Sequence, residues 1–245
     1  MKKSNKFKIA TLIVVSIFMG KISSGQNKYG GFGYFTFGVS PTNINGLESD
    51  LKNENRFGSG FTFNSMGISF GGGGYSRVGK SFLIGGNGFG TLFSNSQNSK
   101  ADLEISQGGG FCNIGYIVLQ NEQWFGFPYL GIGGGGITMV VSNKLETDFN
   151  FTTDEKIAPK ETRNYSSGGI AFDLGFSIKR LFIAPTESGW GGPMIGLDAG
   201  VYLMPFNDSW VYDGTKKSLN GFSKPDLTAI YVKLNIGFGG WGIYN

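Results

Sequence analysis

Ile170-Ala-Phe-Asp-Leu-Gly-Phe-Ser-Ile-Lys179 decides the fold. Ile170, Phe172, Leu174, Phe176 and Ile178 are large and apolar, whereas Ala171, Asp173, Gly175, Ser177 and Lys179 are small or charged. A period of two sets one face of a β-strand in an apolar medium and the other in a polar one. Two later segments repeat the pattern. Ile195, Leu197, Ala199, Val201 and Leu203 alternate with Gly196, Asp198, Gly200, Tyr202 and Met204. Thr228, Ile230, Val232, Leu234, Ile236 and Phe238 alternate with Ala229, Tyr231, Lys233, Asn235 and Gly237. Three two-faced strands in succession point to a transmembrane β-barrel.

The chain opens with Lys2, Lys3, Lys6 and Lys8, then an apolar run from Ile9 to Gly20, then Ser23 and Gly25. This is the pattern of a signal peptide over 1–25, cleaved between Gly25 and Gln26. The apolar run is shorter than the roughly 20 residues a spanning helix requires. Residues 26–245 read as one barrel domain. Taking away the five lysines of the signal, Lys21 included, leaves 16 basic against 17 acidic residues. The high overall pI is therefore no sign of nucleic-acid binding. No stretch of 26–245 is apolar for long enough to span as a helix, so spanning falls to strands. Cys112 is the single cysteine and cannot form an internal disulfide.

Strands are expected near 31–40, 61–76, 81–93, 106–119, 124–141 and 170–179, then up to 206 and from 228 to 241. Long polar loops, 41–58, 94–104, 142–167 and 207–226, follow the odd-numbered strands. Short turns at 77–80, 120–123 and 184–189 follow the even ones. An eight-stranded antiparallel up-and-down barrel of the outer membrane has this asymmetry, with short periplasmic turns and long extracellular loops.

Alternation alone also fits a soluble lipocalin-like barrel with its apolar face inside. A face in contact with water is dense in charge, whereas the minor face here is mostly Gly, Ala, Ser and Asn. That suits the crowded lumen of an eight-stranded barrel. Asp173, Asp198 and Lys233 then point inward at similar depth and are expected to form a salt-bridged network, joined by Lys179, Tyr231 and Asn235. Its bland role is a plug that closes the lumen. Trp124, Trp190, Phe206, Trp210, Trp241 and Tyr244, with Tyr75, lie near strand ends and are expected to form interfacial girdles. The glycine runs 71–74 and 133–136 are expected to bend two strands and give the barrel its curvature.

Several motifs tempt and fail. Gly74-Tyr-Ser-Arg-Val-Gly79-Lys80-Ser81 matches a Walker A loop, but a β-pattern follows it where a phosphate-binding helix is required. The chain contains no histidine, which removes His-dependent nucleophilic catalysis and nearly every zinc site. Cys112 shares a face with Ile114 and Tyr116 and reads as an apolar residue. The loop carboxylates lack the ordered spacing of a calcium loop. No metal or cofactor is expected, and no enzyme.

Strand count, loop asymmetry and the terminal Tyr231-Val-Lys-Leu-Asn-Ile-Gly-Phe-Gly-Gly240 resemble the small outer-membrane β-barrels of OmpA/OmpX type. Pro128-Tyr-Leu-Gly-Ile-Gly-Gly-Gly-Gly136 and the Gln after the cleavage site resemble the barrels of Bacteroidota. Members commonly end on an aromatic residue, whereas Asn245 follows Tyr244 here. The resemblance implies outer-membrane lipid and the barrel-assembly machinery as partners. It also implies a structural or surface-binding role through the loops, toward an extracellular ligand or an envelope protein. The alternative is a narrow pore or transporter for small or hydrophobic solutes.

Overall fold

Every long strand pairs with its neighbours in sequence, and the last pairs with the first. The computed structural model describes residues 28–43, 45–52, 57, 64–94, 96–97, 100–121, 123–152, 155–182, 189–214, 217–225 and 227–243. The expected signal, 1–25, and Tyr244 lie outside them. The strands are β1 (Lys28–Pro41), β2 (Met66–Val78), β3 (Phe82–Leu92) and β4 (Ala101–Tyr116). They continue as β5 (Trp124–Asn143), β6 (Thr162–Leu181), β7 (Gly189–Asn207) and β8 (Ala229–Ile243). All eight ladders are antiparallel, and β1–β8 closes the ring.

The register fixes the barrel's shape. Stepping across direct partners from Phe32 passes Tyr75, Gly85, Asn113, Gly131, Asp173, Tyr202 and Ala229. Ala229 then bridges to Thr42, so the circuit returns to the first strand ten residues beyond its start. Eight strands with that stagger must tilt by about 40° to the barrel axis, and their interior is just wide enough to be filled by side chains.

Alternation assigns the two faces. Phe35, Ile68, Ile84, Ile114, Leu130, Ile170, Leu197 and Ile236 are exposed on the outer wall. Their sequence neighbours face a buried lumen. Among the described residues, the outward positions of the eight strands carry three charges. Asp102 and Glu104 stand at the loop end of β4, and Arg180 stands at the turn end of β6. Between those levels the wall carries no charge among the described residues and is dominated by apolar side chains. Such a surface is costly in water and matched to hydrocarbon. The chain is thus a closed eight-stranded barrel of transmembrane type.

Two of the expected loops are shorter than their polarity indicated. β4 begins at Ala101 and β6 at Thr162, inside the stretches read as 94–104 and 142–167. Polar outward residues such as Ser106, Thr138 and Ser166 are direct ladder partners there. Hydropathy marks where a strand leaves the membrane, not where its backbone pairing stops. The glycine runs do not break their strands either, because β2 and β5 run straight through them. A tight turn joins β2 to β3 through Gly79, whose φ of 65° suits glycine.

Inward glycines make room for lumenal side chains. A Cβ at Gly109 would lie 2.9 Å from the Phe89 ring, and one at Gly175 would lie 2.5 Å from the Tyr129 hydroxyl. The lumen is filled in three layers. Toward the turn end lie Phe32, Tyr34, Tyr75, Phe125, Phe127 and Trp241. Toward the loop end Phe111, Ile137, Met139, Tyr165 and Met204 merge with a cap built from the loops. Ionisable side chains lie between them.

Candidate functional site

The middle layer brings most of the predicted lumenal residues together. Asp173, Lys179, Asp198, Tyr231, Lys233 and Asn235 are all buried. The period-two pattern put them inside, and the narrow lumen forces them into contact. Lys179 Nζ lies 3.1 Å from Asp198 Oδ1, and the Ser177 hydroxyl donates to the same oxygen at 2.6 Å. Tyr231 donates to Asp173 Oδ1 at 2.6 Å, while Asn87 donates to Oδ2 at 3.0 Å. The hydroxyls of Tyr129 and Tyr231 lie 2.6 Å apart and extend the chain of hydrogen bonds. Buried carboxylates require such partners, since removing an ion from water costs several kcal/mol.

Two members depart from the expected salt-bridged network. Lys233 forms no ion pair among the described residues. Its ammonium donates to the Tyr202 hydroxyl and sits 4.6–4.7 Å from the ring centroids of Phe89, Tyr202 and Tyr231. An aromatic cage of this kind holds a cation through the ring quadrupoles. Asn235 is fully buried, yet among the described residues neither its amide nitrogen nor its oxygen has a hydrogen-bond partner. It faces Thr36 and Gly196 across its two ladders and stands apart from the network. Lys179 also has an aromatic neighbour, with Nζ 4.1 Å from the Tyr34 ring centroid.

Alternation supplied the lumenal charges with Tyr231 and put Tyr202 on their face, but it did not single out Phe89 or the stacking of the three rings around Lys233. Phe89, Tyr202 and Tyr231 are stacked in sequence, with centroids 4.2 Å and 4.4 Å apart. Beside them lies a cavity with room for about one water molecule, bordered by Asn87, Tyr129, Asp198 and Lys233. The shared parity of Phe89, Tyr202 and Tyr231 with other inward positions was the available signal.

The expected girdle divides. Trp124 and Phe206 are exposed on the outer wall. Trp241 and Tyr75 instead point inward into the lower aromatic layer, and Trp210 is fully buried in the cap. Their sites reward filling the lumen over facing lipid. Trp190 lies on β7, but its side chain is outside the described residues.

The cap is a folded unit. Helix α1 (Asn45–Leu51) packs Leu47 and Leu51 into the same cluster as Phe57, Phe149, Phe151, Trp210 and Leu219. The Asn143 amide donates to carbonyls of Thr147, Ile157 and Ala158 at 2.9–3.0 Å. Arg163 joins two carboxylates, Glu155 at 2.6 Å and Glu161 at 2.8 Å. Hydrogen bonding from Arg163 holds the Glu161 carboxyl below its ordinary value.

No protein-family model matches the chain, and no curated protein matches it. Among solved structures, the chain is similar to Ail, the attachment invasion locus protein of Yersinia pestis. The two are 10% identical over 89% of this chain and 99% of Ail, with a TM-score of 0.40. It is similar to the outer membrane protease OmpT from Escherichia coli, 8% identical over 91% of this chain and 99% of OmpT, with a TM-score of 0.35. It is also similar to the outer membrane protein OprG from Pseudomonas aeruginosa, 13% identical over 90% and 98%, with a TM-score of 0.34.

Proposed function

We propose that this chain is a non-enzymatic outer-membrane protein that works through the folded cap at its long-loop end. The apolar belt supports the membrane assignment, because an exported chain has the outer membrane as its site for a closed barrel. The observation that carries the rest is the filled lumen. Among the described residues, aromatic, ionic and apolar layers follow one another along the interior, and the cavity beside Lys233 has room for about one water. Such filling argues against a continuous path for solute. The side chains able to meet a partner are those of the cap, which stands on hairpins extending beyond the belt. The lumenal carboxylates are engaged by tyrosine, serine, asparagine and lysine, and the chain has no histidine to act as a base.

Two measurements test the reading. Refolded protein in a planar bilayer, with insertion verified by protease protection, is expected to give no unitary current. Steady steps would replace it with the narrow-pore reading. In cells, exchanging the cap segments 41–58, 144–161 and 208–226 for minimal turns should abolish attachment to protein-coated surfaces while leaving barrel abundance unchanged. Attachment indifferent to that exchange would defeat the surface role.

A further inference from the structure

Arg180 is the one cation on the outer wall of the eight strands among the described residues. It sits at the turn end of β6, directly across the ladders from Trp124 on β5 and Ile195 on β7. Trp124 and the following Phe182 are both exposed. The guanidinium lies 5.5 Å from the Trp124 ring centroid and 5.2 Å from that of Phe182. Nη2 donates to Gln123 Oε1 at 3.2 Å, which fixes the fork, while Nε is buried without a partner. Among the described residues Arg180 forms no ion pair. A fixed guanidinium thus stands between two aromatic rings at the lower border of a surface shaped for acyl chains.

Building on the outer-membrane reading, we infer that Arg180, Trp124, Phe182 and Gln123 form a binding site for one phospholipid of the turn-side leaflet. The phosphate sits at the guanidinium, and the acyl chains lie along the belt above it. The chemistry selects this occupant. The surface above Arg180 is apolar through Ile178, Phe176 and Leu174, so the ligand must carry hydrocarbon. Among the described residues the single charge there is a cation with no carboxylate partner, so the ligand's head must be an anion. Arginine matches phosphate oxygens with its planar fork, and the resulting bonds are charge-assisted. Trp124 holds the level, since amphipathic rings settle at the boundary between headgroups and hydrocarbon. Ordinary snorkelling needs only water at the charged end; here Gln123 and the two rings hold the head in one place.

Native mass spectrometry of the detergent-solubilised full barrel tests this. The probes are dioleoylphosphatidylethanolamine and dioleoylglycerol, which shares the chains but lacks the phosphate. The wild type is expected to retain one phospholipid at least fivefold more tightly than dioleoylglycerol. Arg180→Gln should erase that preference, Arg180→Lys should keep part of it, and Trp124→Leu should weaken it while the protein stays folded. Equal retention of both lipids by the wild type, or an unchanged preference in Arg180→Gln, would overturn the site. If Arg180→Gln fails to fold, Trp124→Leu and Gln123→Ala carry the comparison. A chain that stays monodisperse without detergent would instead refute the membrane reading itself.

Discussion

Lys233 stands directly across the β7–β8 ladder from Asp198, yet Asp198 is bonded to Lys179. Two lysines therefore flank one carboxylate, which pairs with Lys179, and Lys233 rests among Phe89, Tyr202 and Tyr231. With Asp173 the layer holds two acids and two bases, so it is neutral overall. Neutrality matters more than any single contact here, because each uncompensated charge in such a lumen costs several kcal/mol.

The position of Lys233 across the ladder from Asp198 predicts that the lysines substitute for each other. Lys179→Met should cost less than the roughly 3–5 kcal/mol typical when a buried ion loses its partner, since Lys233 and Ser177 remain to engage Asp198. Lys179→Met combined with Lys233→Met should cost more than the sum of the two single changes. Urea midpoints of the refolded protein in lipid vesicles give these values. Strict additivity would show that Lys233 has no access to Asp198.

The two faces of the wall predict opposite responses to added methyl groups. At Gly175 a Cβ would meet the hydroxyls of Tyr129 and Tyr231 at 2.5 Å and 2.8 Å. Gly175→Ala should destabilise by about 1–3 kcal/mol through overpacking. At Gly110 and Gly134, on the outer wall, the nearest atoms lie at 3.8 Å and 3.6 Å. Alanine there should be neutral or stabilising by up to about 1 kcal/mol, because it reduces the freedom of the unfolded strand. A loss at Gly134→Ala matching that at Gly175→Ala would contradict the assignment of faces.

What was legible in the sequence was whatever obeys the pleat. Ile170 and Asp173 sit on opposite faces because three peptide units separate them, and that count found Asp173, Lys179, Asp198 and Lys233, whereas Arg77, read as part of a turn, lies buried inside on β2 over the Trp241 ring. Trp241 was misjudged although the same count places it with Lys233 and Tyr231. Its aromatic character outweighed its parity, whereas in the barrel parity decides. Trp210 lies in a loop, where no period applies, and its burial depends on α1 and the segment around Phe151 closing over it. Pairing of Ser166 with Thr138 was equally hidden, since 142–167 read as a loop and hydropathy does not report on hydrogen-bonded strands that have left the membrane. The choice of Asp198 between two lysines depends on side-chain reach across three strands.

The cap carries its own pH dependence. Arg163 depresses the Glu161 carboxyl in the folded state relative to the unfolded chain. A depressed folded value means that the contribution is fully present above the ordinary carboxylate range and is lost as pH falls through the folded value. Glu161 also accepts from the Ala158 amide at 2.8 Å, so protonation loosens the turn between 158 and 161. Protection of the amides of 144–161 against hydrogen exchange, relative to their intrinsic rates at each pH, should therefore fall on acidification more than that of β8. Glu161→Gln should reduce that acid sensitivity while raising exchange at neutral pH. An acid response unaltered in Glu161→Gln would refute its assignment to Glu161.

Three tryptophans report the wall's orientation without any functional assay. Trp124 is exposed on the outer face, while Trp241 and Trp210 are buried in the lumen and the cap. Proteins that keep one of these, with the other three tryptophans replaced by phenylalanine, can be refolded into vesicles whose acyl chains carry bromine near the headgroup. Quenching requires contact with the bromine, so Trp124 should lose most of its emission, and Trp241 should keep nearly all of it despite lying at the same end of the barrel. Trp210 should be spared whatever the depth of the bromine, because the cap stands clear of the hydrocarbon. Strong quenching of Trp241 would turn β8 around. Since Trp241 shares parity with Lys233, that result would put the lysine in lipid as well, and the filled lumen could not stand.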